Sequence, residues 1–297
     1  MDEAIFDRGL GCLLGLAIGD ALGTTLEFTV RDAHPAITGL IGGGPFELES
    51  GQWTDDTSMA LCLADSLLFC DGFDARDLMN RFLNWYECGH NSATGTCFDI
   101  GSTTREALER YRATGDPFAG SDDPRSAGNG SIMRLAPVAL RWHHDIAAAR
   151  TVARDQSRTT HASDEPIEGA MLLVSILVDS IVCGDKLLTL RPRSSKAPGI
   201  DAVAEGSWRH KQRDDIRSSG YVVHTLEAAL WCVDRAGSFD EAVLLAANLG
   251  DDADSVAAVT GQIAGALWGL SSIPSDWVDN VAWSAAILER GRRLLNA

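Results

Sequence analysis

Two runs of regularly spaced glycines constrain the fold of this chain more than any other feature. In the first apolar segment the run comprises Gly11, Gly15, Gly19 and Gly23. Near the opposite end of the chain it comprises Gly261, Gly265 and Gly269. Residues four apart share one face of a helix, and glycine inside a helix costs about 1 kcal/mol relative to alanine. The spacing therefore predicts two central helices that cross with their backbones in close contact.

This crossing would also bring the ends of the two helices together. Glu27 follows the first glycine run, and the acidic segment after Leu249 precedes the second run. We therefore expect Glu27 to lie near that acidic segment, although more than two hundred residues separate them along the chain.

The rest of the sequence is helical in pattern. Apolar residues recur at helical spacing, helix-forming residues dominate, and alternating strand patterns are scarce. Helices are predicted at residues 5–22, 55–70, 74–87, 102–113, 131–142, 145–157, 165–183, 222–234, 239–248, 254–269 and 276–295. The longest stretch without a predicted element is 191–220. No change in composition marks a linker, so we expect one all-α domain over residues 1–297.

Two acidic segments share one design, in which a glycine-bearing loop leads into carboxylates and hydroxyls and then into an apolar helix. The first segment contains Thr54, Asp55, Asp56 and Thr57. The second contains Asp251, Asp252, Asp254 and Ser255. Two ordinary helix caps would explain them, because helix N-termini stabilise carboxylates. Crowded carboxylates repel unless a cation neutralises them, and hard oxygen ligands select Mg²⁺ or Mn²⁺. Spacing alone leaves both interpretations open.

The net charge indicates which binding partners are disfavoured, and the cysteine content indicates the cellular compartment. The net charge of −17 disfavours broad binding to nucleic acids or anionic membranes. Seven cysteines form no C-x-x-C pair, so we expect reduced thiols in a cytoplasmic protein. Early charges argue against a signal peptide. No segment has the ~18 uninterrupted apolar residues of a membrane span, since the best candidate, residues 9–26, contains Asp20.

Four further positions are candidates for a site, and each has an ordinary structural alternative. Residues 128–131 precede a predicted helix, where free N–H groups can hold a phosphate or simply form a turn. Asp99 is either a helix cap or an acid that faces substrate. His161 is a lone histidine, a type that is more often structural. Tyr221 either stacks on a base or packs in the core.

Six segments, in order along most of the chain, closely resemble the ADP-ribosylglycohydrolase family. They are GCLLGLAIGDALGTTLEF, WTDDTSMAL, FDIGSTTR, AGNGSIMR, THASDEP and GDDADSVAAVTGQIAGALWG. The resemblance implies a compact all-α fold, an orthogonal helical bundle around two Mg²⁺ or Mn²⁺ ions. It also implies a hydrolase that releases ADP-ribose from an ADP-ribosylated acceptor.

The resemblance also implies roles for individual residues. The implied metal ligands are Thr54, Asp55, Asp56, Asp252, Asp254 and Ser255. Ser255 stands where the family usually has threonine and keeps the hydroxyl ligand. The implied catalytic residues are Glu27, Asp55 and Asp99, of which Glu27 or Asp99 would transfer the proton. The implied substrate-binding residues are Gly101, Gly128, Asn129, Gly130, Ser131, His161, Gly220 and Tyr221.

The implied reaction is hydrolysis at C1 of the distal ribose, through a transition state with oxocarbenium character. The acceptor is most simply an N-linked arginine of a protein, while O-linked serine, the small molecule O-acetyl-ADP-ribose and modified nucleobases stay open. The competing class is a binding protein, a pseudoenzyme that senses ADP-ribose without turnover. Retention of all six proposed ligands favours the enzyme.

Overall fold

The computed structural model describes residues 2–297, and within them the chain is built from α-helices. The helices, in chain order, are α1 (Glu3–Gly23), α2 (Asp55–Cys70), α3 (Ala75–Cys88), α4 (Ser102–Thr114), α5 (Ala136–Arg141), α6 (Ile146–Thr160), α7 (Asp164–Cys183), α8 (Lys186–Thr189), α9 (Pro198–Glu205), α10 (Val222–Arg235), α11 (Phe239–Ala247), α12 (Ala253–Trp268), α13 (Ser275–Asn280) and α14 (Ser284–Leu295). In this part of the chain, β-type pairing is limited to three isolated bridges. The all-α prediction is confirmed.

Helices α1 and α12 cross at the centre of the molecule, and their glycines explain how. A Cβ atom added to Gly11 would lie 2.5 Å from the carbonyl oxygen of Gly265, and Gly15 packs even more closely on Gly261. Since no side chain fits at these distances, both positions require glycine. Every residue of α1 from 9 to 23 is buried. The predicted close crossing is confirmed.

The predicted helix at 131–142 is wrong at its beginning. Helix α5 begins only at Ala136, and Pro137 lies in its first turn. A proline inside a helix clashes with the preceding turn and lacks an N–H group, but it is tolerated at the start. Residues 131–134 therefore form a turn that leads into the helix.

The predicted helix at 276–295 is two helices, α13 and α14. Between them Trp283 adopts a left-handed backbone conformation with φ of 59°. The Ala282 N–H donates to the carbonyl oxygen of Gly51 at 2.8 Å, and the Trp53 indole donates to the Ala282 carbonyl at 3.1 Å. These tertiary bonds replace the intrahelical bonds that a continuous helix would need at this point.

The stretch 191–220, predicted to lack regular structure, contains helix α9 and a short 3₁₀ turn at Arg213–Asp215. Pro198 stands at the beginning of α9, and Ile200 and Val203 are buried on its inner face. The prediction missed this element because eight residues hold too few apolar positions to show helical spacing.

Two helical segments are long and apolar enough to cross a membrane by length and composition, although charged residues interrupt both. They are Glu3–Leu26 and Asp164–Cys183, and 94% and 67% of their most apolar windows are buried inside the fold. All seven cysteines are free thiols, as expected.

Candidate active site

One cavity of about 310 Å³ collects carboxylates from four separate parts of the chain. Glu27 follows α1, Asp55 begins α2, Asp99 precedes α4, and Asp252 and Asp254 lie at the beginning of α12. The crossing of α1 and α12 brings the first and last of these together. The remaining lining residues are Phe28, Ile100, Gly101, Ser102, Thr103, Thr104, Gly128, Asn129, Gly130, Met133, His161, Gly220 and Ser255.

The two acidic segments identified in the sequence meet in space. Thr54 Oγ1 lies 3.2 Å from Asp254 Oδ2, and Ser255 Oγ lies 3.4 Å from Asp56 Oδ2. Thr54 and Asp252 are the N-cap residues of α2 and α12, yet neither side chain caps its own helix. Ordinary helix capping therefore does not account for these two residues, because the Thr54 hydroxyl contacts Asp254 and the Asp252 carboxylate accepts a hydrogen bond from Asn129.

Burial and mutual repulsion raise the pKa of the carboxyl groups in this cluster. Burial raises the pKa of Asp252 to about 6. Burial and then repulsion from neighbouring carboxylates raise the pKa of Asp99 to about 7 and that of Glu27 to about 10. The same causes raise the pKa well above its usual value in Asp55, Asp56 and Asp254. Ionising all of them at neutral pH therefore requires positive charge within the cluster.

The cluster also contains buried oxygens without hydrogen-bond partners, Asp56 Oδ1 and Asp254 Oδ1. Buried polar atoms are rarely left unpaired. Carboxylate oxygens of Glu27, Asp99 and Asp254 lie within 4.8 Å of one another, and so do those of Asp20, Asp56 and Asp254. Across residues 2–297, no lysine or arginine lines the cavity. This donor set fits a hard divalent cation.

The turn at residues 128–131 packs over the ring of His161. A Cβ atom on Gly130 would lie 2.7 Å from His161 Cε1, and one on Gly128 would lie 3.2 Å from Nε2. The turn therefore approaches the ring as only glycine can. Burial and then the charge of Arg134 lower the pKa of His161 to about 3, so its imidazole is neutral at pH 7.

Comparison with known proteins agrees with this geometry. The family model described as ADP-ribosylglycohydrolase matches residues 1–297. The chain belongs to the ADP-ribosylglycohydrolase family. A solved structure titled "ADP-ribosylglycohydrolase-related protein complex" superposes with a TM-score of 0.88 at 40% identity, covering 99% of both chains.

Several relatives of this glycohydrolase carry descriptive names. It is 50% identical to "ADP-ribosylarginine hydrolase Tri1" of Pseudomonas putida, over 99% of this chain and 79% of that protein. The protein of the same name from Serratia proteamaculans is 45% identical over 97% of this chain and 79% of its own length. "ADP-ribosyl-[dinitrogen reductase] glycohydrolase" of Rhodospirillum rubrum is 31% identical over 94% and 91%.

Within the glycine turn of this glycohydrolase, two of the predicted substrate-binding residues face different ways. The Asn129 amide lines the cavity and donates to Asp252 Oδ2 at 2.6 Å, which links the turn to the acidic cluster. Ser131 is fully buried, and its hydroxyl accepts a hydrogen bond from Ser157 at 2.9 Å behind the turn. The side chain of Ser131 thus belongs to the support of the turn and does not line the cavity.

The segment that carries Gly220 and Tyr221 lies at one side of the cavity. Gly220 lines it, and its carbonyl accepts the Asn129 N–H at 3.0 Å. Tyr221 is not among the lining residues. Its hydroxyl donates to Glu165 at 2.6 Å, and its ring packs edge-on against His224 with centroids 4.9 Å apart.

Sequence reasoning missed the contribution of the N-terminus of α4. Ser102, Thr103 and Thr104 line the cavity, and the N-cap residue Gly101 has no side chain to cap the helix. Free N–H groups at a helix N-terminus attract anions. The signal in the sequence is the segment Gly-Ser-Thr-Thr, which follows closely on Asp99.

Sequence reasoning also missed Asp20, which it took only as a charge that interrupts an apolar run. Asp20 is fully buried and accepts hydrogen bonds from Thr54 and Thr57. The signal in the sequence is an acid placed between two glycines of the close crossing, Gly19 and Gly23. A charged residue at such a position must have partners on a neighbouring element.

Proposed function

We propose that this chain is a metal-dependent hydrolase that releases ADP-ribose from arginine side chains of a modified protein. The observation that carries the proposal is the meeting of residues 54–56 with residues 252–255, where buried carboxylate oxygens have no partners. Two relatives with 50% and 45% identity are named ADP-ribosylarginine hydrolases, which supports arginine as the acceptor.

Two divalent cations, Mg²⁺ or Mn²⁺, would occupy the acidic cluster. The residues that would hold them are Thr54, Asp55, Asp56, Asp252, Asp254 and Ser255. When bound, such ions orient sugar hydroxyls and activate water as a nucleophile. In this chain Asp56 and Asp254 supply the unpartnered oxygens, and Thr54 and Ser255 supply neutral hydroxyls that add no repulsion.

ADP-ribose would lie along the cavity, from the acidic cluster to the glycine turn. Its pyrophosphate is anionic, so it would occupy the end of the cavity where the N-terminus of α4 and the residues Gly130 and Ser131 offer backbone N–H groups. The neutral ring of His161 supports this turn from below. Gly220 and Tyr221 would border the adenosine end.

Glu27 and Asp99 are the best placed groups to manage the proton. Both line the cavity beside the acidic cluster, and their carboxylate oxygens lie within 4.8 Å of each other. Cleavage at the distal ribose leaves electron density on the departing guanidine nitrogen, which must receive a proton. We assign that transfer to the Glu27–Asp99 pair.

The mouth of the cavity suits a cationic acceptor. Phe28 lines the cavity and is 65% exposed. Its ring lies 6.4 Å from that of Phe46, which lies 5.1 Å from Phe98, so aromatic faces continue away from the cavity. Aromatic faces attract guanidinium groups, so a modified arginine gains a favourable contact at this mouth. A serine hydroxyl would gain no such contact.

The test is to incubate the protein with Mn²⁺ and a panel of labelled ADP-ribosylated acceptors and to measure released ADP-ribose. The panel contains arginine-linked protein, serine-linked protein, O-acetyl-ADP-ribose and an ADP-ribosylated nucleobase. We expect release from the arginine-linked protein, abolished by EDTA and restored by added Mn²⁺.

Two outcomes would contradict the proposal in different ways. Faster release from another acceptor would support hydrolase activity but would show that arginine is not the preferred acceptor. Tight binding of ADP-ribose without release from any member of the panel would identify a binding protein in place of an enzyme.

A further inference from the structure

Asp20 is a buried carboxylate within the close crossing of α1 and α12. It is 0% exposed and lies between Gly19 and Gly23, whose Cβ atoms would strike the backbone of α12. Burying a carboxylate is costly unless hydrogen bonds compensate it. The partners of Asp20 therefore indicate what the residue does.

All four hydrogen bonds of Asp20 come from the beginning of α2. Oδ1 accepts from the Thr54 backbone N–H at 2.8 Å and from its hydroxyl at 2.9 Å. Oδ2 accepts from the Thr57 backbone N–H at 2.9 Å and from its hydroxyl at 2.6 Å. Since the side chain of Thr54 does not cap α2, Asp20 caps this helix from another part of the chain.

These bonds decide where the hydroxyl proton of Thr54 lies. A hydroxyl has one proton and two acceptor lone pairs. Thr54 Oγ1 lies 2.9 Å from Asp20, 3.2 Å from Asp254 and 3.5 Å from Asp56. The shortest of these contacts takes the proton, so the lone pairs are directed to the space between Asp56 and Asp254. A cation ligand requires that orientation.

We propose that Asp20 is a positioning residue for the cation site and acts through the hydroxyl of Thr54. It holds the proton of this hydroxyl away from the site and leaves the lone pairs free to bind a divalent cation. The inference rests on the proposed function only in requiring that the cluster bind such a cation.

The test is a double-mutant cycle on the full chain, in which Mn²⁺ binding to the metal-free protein is measured by calorimetry. We expect Thr54→Val and Asp20→Asn each to weaken Mn²⁺ binding by about tenfold, which corresponds to about 1.4 kcal/mol. If Asp20 acts through the hydroxyl, the double variant binds at most about threefold more weakly than Thr54→Val alone.

Thr57→Val is the matched control, because it removes the other hydroxyl that donates a hydrogen bond to Asp20 and leaves Thr54 intact. We expect it to lower the melting temperature but to keep Mn²⁺ affinity within about twofold of wild type. If Thr57→Val loses as much Mn²⁺ affinity as Asp20→Asn does, the role of Asp20 is purely structural.

Other results would also overturn the inference. The inference is wrong if Thr54→Val or Asp20→Asn binds Mn²⁺ as tightly as the wild type does. It is also wrong if the double variant loses affinity by the full product of the two single losses. If Asp20→Asn does not fold, Thr54→Val still decides whether the hydroxyl binds the cation. A wild-type protein that binds Mn²⁺ but releases no ADP-ribose would refute the proposed function and leave this inference standing.

Discussion

At the scale of single residues, His161 shows how burial changes chemistry. The native ring is buried and its pKa is lowered to about 3, whereas in the unfolded chain the pKa returns to about 6.5. Between these values the unfolded state binds a proton that the native state does not. Its contribution to stability is therefore present above pH 6.5 and is lost as the pH falls towards 3.

This difference predicts a pH-dependent effect of the substitution His161→Gln. From pH 7 to pH 5 the free energy of unfolding of the wild type should fall by about 2 kcal/mol more than that of the variant. Urea unfolding of both proteins at the two pH values measures this, with exposed His34→Gln as the control that behaves like wild type. Equal losses in wild type and His161→Gln would contradict the buried neutral ring.

Neighbouring residues also decide where other side chains of the site lie. Asp252 and Asn129 were assigned to different functions, and the structure joins them by a hydrogen bond of 2.6 Å. Ser131 belongs to the same turn, yet its hydroxyl is directed into the core. A motif identifies the backbone that forms a turn, but the direction of each side chain depends on what packs behind it.

At the scale of elements, the α1–α12 crossing predicts a large penalty for any side chain at its glycines. Gly15→Leu should lower the free energy of unfolding by more than about 3 kcal/mol, because the new side chain meets backbone that cannot move aside. Chemical denaturation measures the change. Gly72→Leu is the control, since a Cβ atom there meets nothing within 4 Å. Nearly unchanged unfolding of Gly15→Leu would refute the close-contact interpretation.

Long helices with strong apolar patterns were predicted close to their true limits, as α2 and α7 illustrate. Errors fell where a proline or a tertiary bond decides the boundary. Pro137 delays the beginning of α5, and bonds from residues 51 and 53 divide α13 from α14. The second cause cannot be read locally, because the partners lie about 230 residues away along the chain.

At the scale of the whole molecule, the acidic cluster joins two segments that lie 200 residues apart along the chain. Residues 54–56 and 252–255 meet only in the folded state, so a cation bound between them should stabilise the entire fold. Mn²⁺ at about one hundred times its Kd should add about 2.7 kcal/mol, which raises the melting temperature by several degrees. Thermal melts with EDTA or Mn²⁺ measure this gain.

The same experiment separates the ligand assignment from general charge effects. Asp254→Asn should abolish both the Mn²⁺-dependent stabilisation and turnover while helical content stays nearly intact. Asp251→Asn is the matched control, because Asp251 is exposed and its left-handed backbone accommodates asparagine. We expect Asp251→Asn to keep the full Mn²⁺-dependent stabilisation. Retained stabilisation and activity in Asp254→Asn would refute the assignment.

The sequence by itself determined the all-α class, the close crossing of two helices and the existence of two oxygen-rich segments, because each depends on short-range spacing along the chain. Only the tertiary structure decided that Asp20 holds Thr54, that Ser131 faces the core and that the N-terminus of α4 lines the cavity. These features depend on contacts between residues far apart in sequence, and no local pattern specifies which partner a side chain will meet.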